Sequence, residues 1–159
     1  MAGPRIVLAV ALQRYLDFPP VALRAREVAA ALAKAQRAAV DVITVEAPSA
    51  QLPGVESTEE KLDRFVRSLR EEGVEAEAHL LAGRPAERLA SFVVRSGAEY
   101  LVIGSHSKRN LLDVGLGSNA STLVRDCPCP VIMIWPTRQE SARARELMIP
   151  GYPFILPYG

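Results

Sequence analysis

Only two cysteines occur in the 159 residues, Cys127 and Cys129, and a single proline separates them. A framework of structural disulfides is thereby excluded, and a reducing cytoplasm is the expected compartment. Long apolar runs are missing as well. The N-terminal run from Ile6 to Leu12 is cut off at once by Gln13 and Arg14, whereas a membrane span needs about 18 apolar residues. It also lacks a convincing cleavage site, so it is not read as a secretory leader. Charge of one sign is scarce too, because 19 Lys and Arg stand against 18 Asp and Glu, for a net charge of +1. With no basic stripe and no DNA-reading motif, neither nucleic acid nor a membrane is an expected partner. The chain has no Gly-x-Ser-x-Gly elbow, no Gly-Lys-Ser/Thr phosphate loop and no acidic cluster suited to magnesium. It is therefore not expected to be an enzyme.

What is present is ordinary globular usage, 49% apolar and 23% charged, in a length that fits one domain with a real core. The hydrophobic period switches repeatedly. Ile6–Ala11 is a continuous apolar run, as in a strand buried on both faces, and VDVITV at 40–45 is rich in β-branched residues. Between them, Val21, Ala25, Val28, Ala29, Leu32 and Ala35 recur at helical spacing. Ser57 with Glu60 matches a capping box ahead of the stripe Leu62, Phe65, Val66 and Leu69, which Gly73 ends. From Val74 to Leu81 the chain alternates, with Glu75 and Glu77 against Val74, Ala76 and Ala78. That pattern predicts an edge strand with one solvated face. Gly83-Arg84-Pro85 opens a third helix through Leu89 and Val93, and Tyr100–Ile103 and Pro130–Trp135 read as the fourth and fifth strands.

Strands alternating with helices of this length imply βαβ units and a parallel α/β sheet, whose ligands sit beyond the carboxyl ends of the strands where the winding reverses. The domain is expected to occupy residues 1–135. Residues 136–147 are charged and 148–159 apolar and proline-rich, a C-terminal extension expected to pack on the body or on a partner subunit.

The chemistry is expected in the loop that follows the fourth strand, Gly104 to Asn119. It leaves a buried strand and reaches Gly117-Ser118, where a helix through Leu123 and Val124 is predicted to begin. A helix start presents unpaired N–H groups and the positive end of its dipole; glycines let an anion approach, and Ser118 adds a hydroxyl. Ser105, Ser107, Lys108 and Arg109 are positioned in sequence to supplement such a phosphate cradle. Ser118 as a plain helix cap and Gly104 as a plain turn residue are the competing readings. Other tempting residues have ordinary explanations. Cys127 and Cys129 lack companion metal ligands and read as packing at the junction before the fifth strand. His106 reads as a loop residue, His79 as a surface residue of the third strand, and Trp135 as packing or interface.

The segment VIGSHSKRNLLDVGLGSNASTLVRDCPCPVIMI resembles the end of a universal stress protein domain. The family spacing is Gly, two residues, Gly, nine residues, Gly and then Ser or Thr; here Gly104, Ser107, Gly117 and Ser118 stand at those positions. Cys129-Pro130-Val131 and Gly83-Arg84-Pro85-Ala86-Glu87 resemble the family too, and the likeness runs over about residues 4–135. It implies a Rossmann-like fold with a five-stranded parallel sheet in the order 3-2-1-4-5, helices on both faces, and a homodimer through strand five. It also implies an adenine nucleotide (AMP, ADP or ATP) as ligand. Gly104, Ser105, Ser107, Gly117, Ser118 and Asn119 would hold ribose and phosphates, and Ala11 and Val45 would border the nucleoside. Two positions depart from the family pattern: Ala11 stands where nucleotide-binding members carry Asp, and Ser107 replaces the second glycine. Gln13 and Asp17 are the candidates to compensate. The function expected is that of a regulatory or sensor protein that acts on an unidentified protein partner. The alternatives are an interaction protein without a nucleotide and a slow ATP hydrolase.

Overall fold

The computed structural model describes residues 3–46, 54–83, 85–104 and 127–150. Strand β1 (Arg5–Ala9) lies at the centre of a five-stranded sheet, with β2 (Ala39–Glu46) on one side and β4 (Tyr100–Gly104) on the other. Beyond β2 lies β3 (Ala76–Ala82), and beyond β4 lies β5 (Val131–Ile134), so the order is β3-β2-β1-β4-β5 and every pairing is parallel. The helices are α1 (Pro20–Gln36), α2 (Thr58–Glu71), α3 (Pro85–Ser96) and α4 (Arg138–Leu147). The helix expected through Leu123 and Val124 lies outside the described residues.

The apolar runs become central strands because both faces of the sheet are covered. Ile6, Leu8, Val40, Val42 and Val102 face α1 and α2, while Val7, Ile43, Leu101 and Ile103 face α3. Helix α1 buries mostly alanines (Ala22, Ala25, Ala29, Ala30 and Ala33), so its backbone comes close to the sheet. Helix α2 offers larger side chains, and Phe65, Leu62 and Leu69 are all but inaccessible. Burying each such side chain is worth about 1.5–3 kcal/mol.

Element ends follow from local chemistry. The Ser57 hydroxyl accepts the Glu60 amide at 3.1 Å, as its spacing predicts. A full reciprocal box forms at α4, where Thr137 accepts the Glu140 amide and the Glu140 carboxylate accepts the Thr137 amide. Helix α1 ends on Arg37, held at φ 53° and ψ 45°, with its N–H bonded to the Ala33 carbonyl. That left-handed position favours glycine. β3 is indeed an edge strand, but β1 ends at Ala9, two residues short of the apolar run. Val10 continues the ladder only through its amide, which donates to the Ile43 carbonyl at 3.1 Å.

Candidate functional site

The parallel register brings Ala9 level with Ile43 on one side and Ile103 on the other. The chain winds outward in one direction through β2 and β3, then reverses to β4 and β5. Ala11, Val45 and Gly104 therefore lie together at the carboxyl ends of three adjacent strands, where the winding reverses and a crevice for a ligand is expected. Ala11 and Val45 are half-buried and Gly104 is buried. Beside Val45, the Thr44 hydroxyl is buried with no hydrogen-bond partner, an unmet polar group of the kind a ligand or ordered water satisfies. Ser105, Ser107, Gly117, Ser118 and Asn119, together with His106, Lys108 and Arg109, lie outside the described residues.

Gly104 also has a packing reason to be glycine. A Cβ there would meet the Ala25 Cβ at 3.3 Å and the Val21 carbonyl oxygen at 3.4 Å. The alanine stripe of α1 and the absent side chain of Gly104 thus let the first turns of α1 settle onto the end of β4.

The loop from β1 to α1 leaves the same strand end and is tied down by a residue that the periodicity of the sequence concealed. Lys61, on the apolar stripe of α2, is 1% exposed. Its ammonium donates to the Leu12 carbonyl at 2.7 Å and to the Tyr15 carbonyl at 2.6 Å. Its sequence signal is a lysine three residues after buried Thr58 and four before buried Phe65. Asp17, a candidate to replace the missing acid at position 11, is engaged elsewhere. Its Oδ1 accepts both terminal nitrogens of Arg64 at 3.1 Å and its neighbour's amide at 2.8 Å. Arg64 is shared with Glu56 at 2.8 Å, lies over the Phe18 ring, and has its pKa raised, chiefly by the hydrogen bond it donates to Glu56.

From the other side the same loop is met by the C-terminal segment. Tyr15 and Met148 form an antiparallel bridge. The Leu16 amide donates to the Leu147 carbonyl and the Ile149 amide to the Arg14 carbonyl, both at 2.8 Å. Ile149 and Ala144 are buried. Arg24 of α1 pairs with Glu140 at 3.2 Å and donates to the Trp135 carbonyl, so residues 135–149 lie along α1 and end on the loop that follows β1.

A second polar cluster lies towards the other ends of the strands. Asp41, 2% exposed in the middle of β2, receives Nε and Nη2 of Arg5 at 2.6 and 2.7 Å. His79 Nε2 approaches Asp41 Oδ1 at 2.9 Å, and the His79 ring packs 4.7 Å from that of Phe92. His79 is therefore a half-buried partner of a buried carboxylate, not the surface residue that alternation in β3 suggested. Burial by itself raises the Asp41 pKa; hydrogen bonds from Arg5 and His79 outweigh it, and the net shift is downward. Ligand atoms of Asp41, Glu77 and His79 fall within 4.8 Å of one another, the spacing of a metal site. However, the Arg5 guanidinium already engages both Asp41 oxygens and lies 3.6 Å from Glu77. The cation that this cluster holds is Arg5.

Cys127 and Cys129 pack against the α3-side core with their sulfurs 3.6 Å apart. Burial, reinforced by the contact with Cys127, pushes the Cys129 thiol up to about 12. Neither end of the sheet therefore presents a ready thiolate from Cys129. Among the described residues, no helix is long and apolar enough to cross a membrane.

A sequence profile described as the universal stress protein family matches residues 14–134. A universal stress protein of Thermus aquaticus is 33% identical over 124 residues, 71% of this chain and 89% of that protein. One from Methanocaldococcus jannaschii is 28% identical over 85 residues, 54% of this chain; the match spans only 50% of that relative's length. Among solved structures, the universal stress protein of Archaeoglobus fulgidus in complex with dAMP superposes with a TM-score of 0.56 at 25% identity, over 83% of this chain and 97% of that one. All of α4 and the bridge at Met148 lie beyond the matched residues.

Proposed function

Because this chain belongs to the universal stress protein family, we propose that it binds an adenine nucleotide in the crevice at Ala11, Val45 and Gly104 and works as a regulatory or sensor module. The observation that carries the reading is the dAMP complex of the A. fulgidus relative, which shares the fold and a quarter of the aligned residues. Three features of this chain support it: the reversal of winding at β1, the convergence of three strand ends, and the unmet Thr44 hydroxyl. In this reading the nucleoside lies against Ala11 and Val45, and the segment from Gly104 to Asn119 meets the phosphates. Occupancy rather than turnover is the signal: the nucleotide orders residues 105–116 and changes the surface shown to a protein partner. A cytoplasmic homodimer joined through edge strand β5 completes the proposal.

Calorimetry with ATP, ADP and AMP on protein freed of co-purified nucleotide tests it. Saturable binding that is lost in a folded Gly117→Val variant is the expected result. No heat at millimolar nucleotide would refute it. The second reading, an interaction protein without a nucleotide, would then hold; Ala11 and the commitment of Asp17 to Arg64 favour that reading. Hydrolysis above a buffer blank would instead indicate an enzyme.

A further inference from the structure

We propose that the C-terminal extension is an intramolecular strap that holds the β1–α1 loop in the shape a ligand must meet, and so sets the affinity of the crevice. The proposal rests on the nucleotide reading for its ligand, but its geometry is independent of that reading. In the nucleotide reading the loop contributes Ala11 and Gln13 to one wall. It is fixed from beneath by the Lys61 ammonium on the Leu12 and Tyr15 carbonyls. From above, two 2.8 Å backbone hydrogen bonds and an antiparallel bridge tie residues 14–16 to residues 147–149. The strap is anchored at a distance from the crevice. Helix α4 is held by its own capping box, by buried Ala144 and by the Arg24–Glu140 pair on α1.

A loop between elements is among the least stable parts of a fold. Here backbone donors and acceptors of the loop are used by two elements distant in sequence, which hold its conformation more firmly than its own dihedral preferences would. The strap lies outside the residues that the family profile matches. It also gives a route for regulation. A partner that takes hold of α4 or Met148 releases the loop, and the crevice loses its preset wall without being touched.

Two full-length variants release the strap by different atoms. Ile149→Pro removes the amide that donates to the Arg14 carbonyl, and Ala144→Lys places a charge on the buried face of α4, away from the loop. Ile149→Val keeps the amide and is the control. AMP binding by calorimetry and amide hydrogen exchange at residues 12–17 are measured on each, beside urea melts that establish folding. With the strap released, the loop occupies its binding shape only part of the time, and affinity falls by that fraction, about three- to tenfold. The expected result is this loss in both release variants and not in Ile149→Val, together with faster exchange of the Leu16 amide while β1 and β2 amides stay protected. Unchanged affinity with a deprotected loop overturns the proposal, as does a Leu16 amide still protected in both release variants. If wild-type protein binds none of AMP, ADP and ATP, the nucleotide reading fails by itself, and the exchange data alone decide whether residues 147–149 hold the loop.

Discussion

Replacing Arg5 by alanine removes two hydrogen bonds of 2.6 and 2.7 Å from a carboxylate that is 2% exposed. Asp41 then keeps only His79, at 2.9 Å, and still faces the negative charge of Glu77, its register partner on β3. Removing one partner of a buried ion pair costs about 3–5 kcal/mol. The Arg5 side chain retains 22% exposure, which admits some water to the vacated position, so the expected cost at neutral pH is about 2–3 kcal/mol. For a chain of this length that corresponds to a fall of roughly 5–10 °C in midpoint temperature. Urea denaturation of wild type, Arg5→Ala, Asp41→Asn and the double variant measures it, and the double should recover most of the loss because no orphaned charge remains. The pH dependence carries a second signature. In the wild type the Asp41 pKa is lowered, so its contribution is present above the ordinary carboxylate value of about 3.9 and is lost as pH falls through the lower folded value. In Arg5→Ala the folded value rises, so the gap between variant and wild type narrows as the buffer is acidified through the carboxylate range. A variant within about 0.5 kcal/mol of wild type at pH 7, or a gap that widens in acid, would refute the reasoning.

Further predictions concern separate parts of the fold. Arg37→Gly should stabilise the protein by roughly 0.5–1 kcal/mol in urea melts, because Arg37 is exposed and holds φ 53°. Phe65→Ala should cost about 3–5 kcal/mol, since Phe65 is fully buried edge-on to Phe18, at 5.1 Å between centroids. With its thiol pushed up to about 12, Cys129 should react slowly with iodoacetamide near neutral pH, and mass spectrometry should show labelling that climbs about tenfold per pH unit with no plateau below pH 10. Gly104→Ala should be mildly destabilising, by about 1 kcal/mol, through its contacts with Ala25 and Val21.

The sheet was legible because its signals are periodic. Continuous apolar runs at β1, β2 and β4 announce strands covered on both faces, and the alternation of Glu75 and Glu77 with small apolar residues announces the edge position of β3. The strand order came from the resemblance rather than from periodicity, which says nothing about neighbours. The placement of Ala11, Val45 and Gly104 followed from their positions at strand ends. The ties that hold the β1–α1 loop did not, because they are tertiary. Lys61 is charged yet interrupts no pattern on paper, and only the fold shows that its ammonium reaches two carbonyls more than forty residues away. Asp41 is equally silent until Arg5 and His79 arrive from neighbouring strands. Helix α4 was readable only as a charged stretch, although Thr137 and Glu140 carry the spacing of a capping box.

The central place of β1 has a consequence for the order in which the protein is made. Strand β1 leaves the ribosome ahead of both its neighbours and waits for the second until Tyr100 can come level with Ile6, while β2 and β3 are already at hand. The face built from α1 and α2 draws almost all its side chains from residues before Ala78, so it can close early, whereas the α3 face needs β4 and the cysteines before β5. During synthesis one flank of the sheet is therefore sealed while the other is still bare, with Val7 and Ile43 open to solvent or a chaperone. The bridge between Tyr15 and Met148 forms later still, and it couples arrival of α4 to the setting of a loop translated well before it.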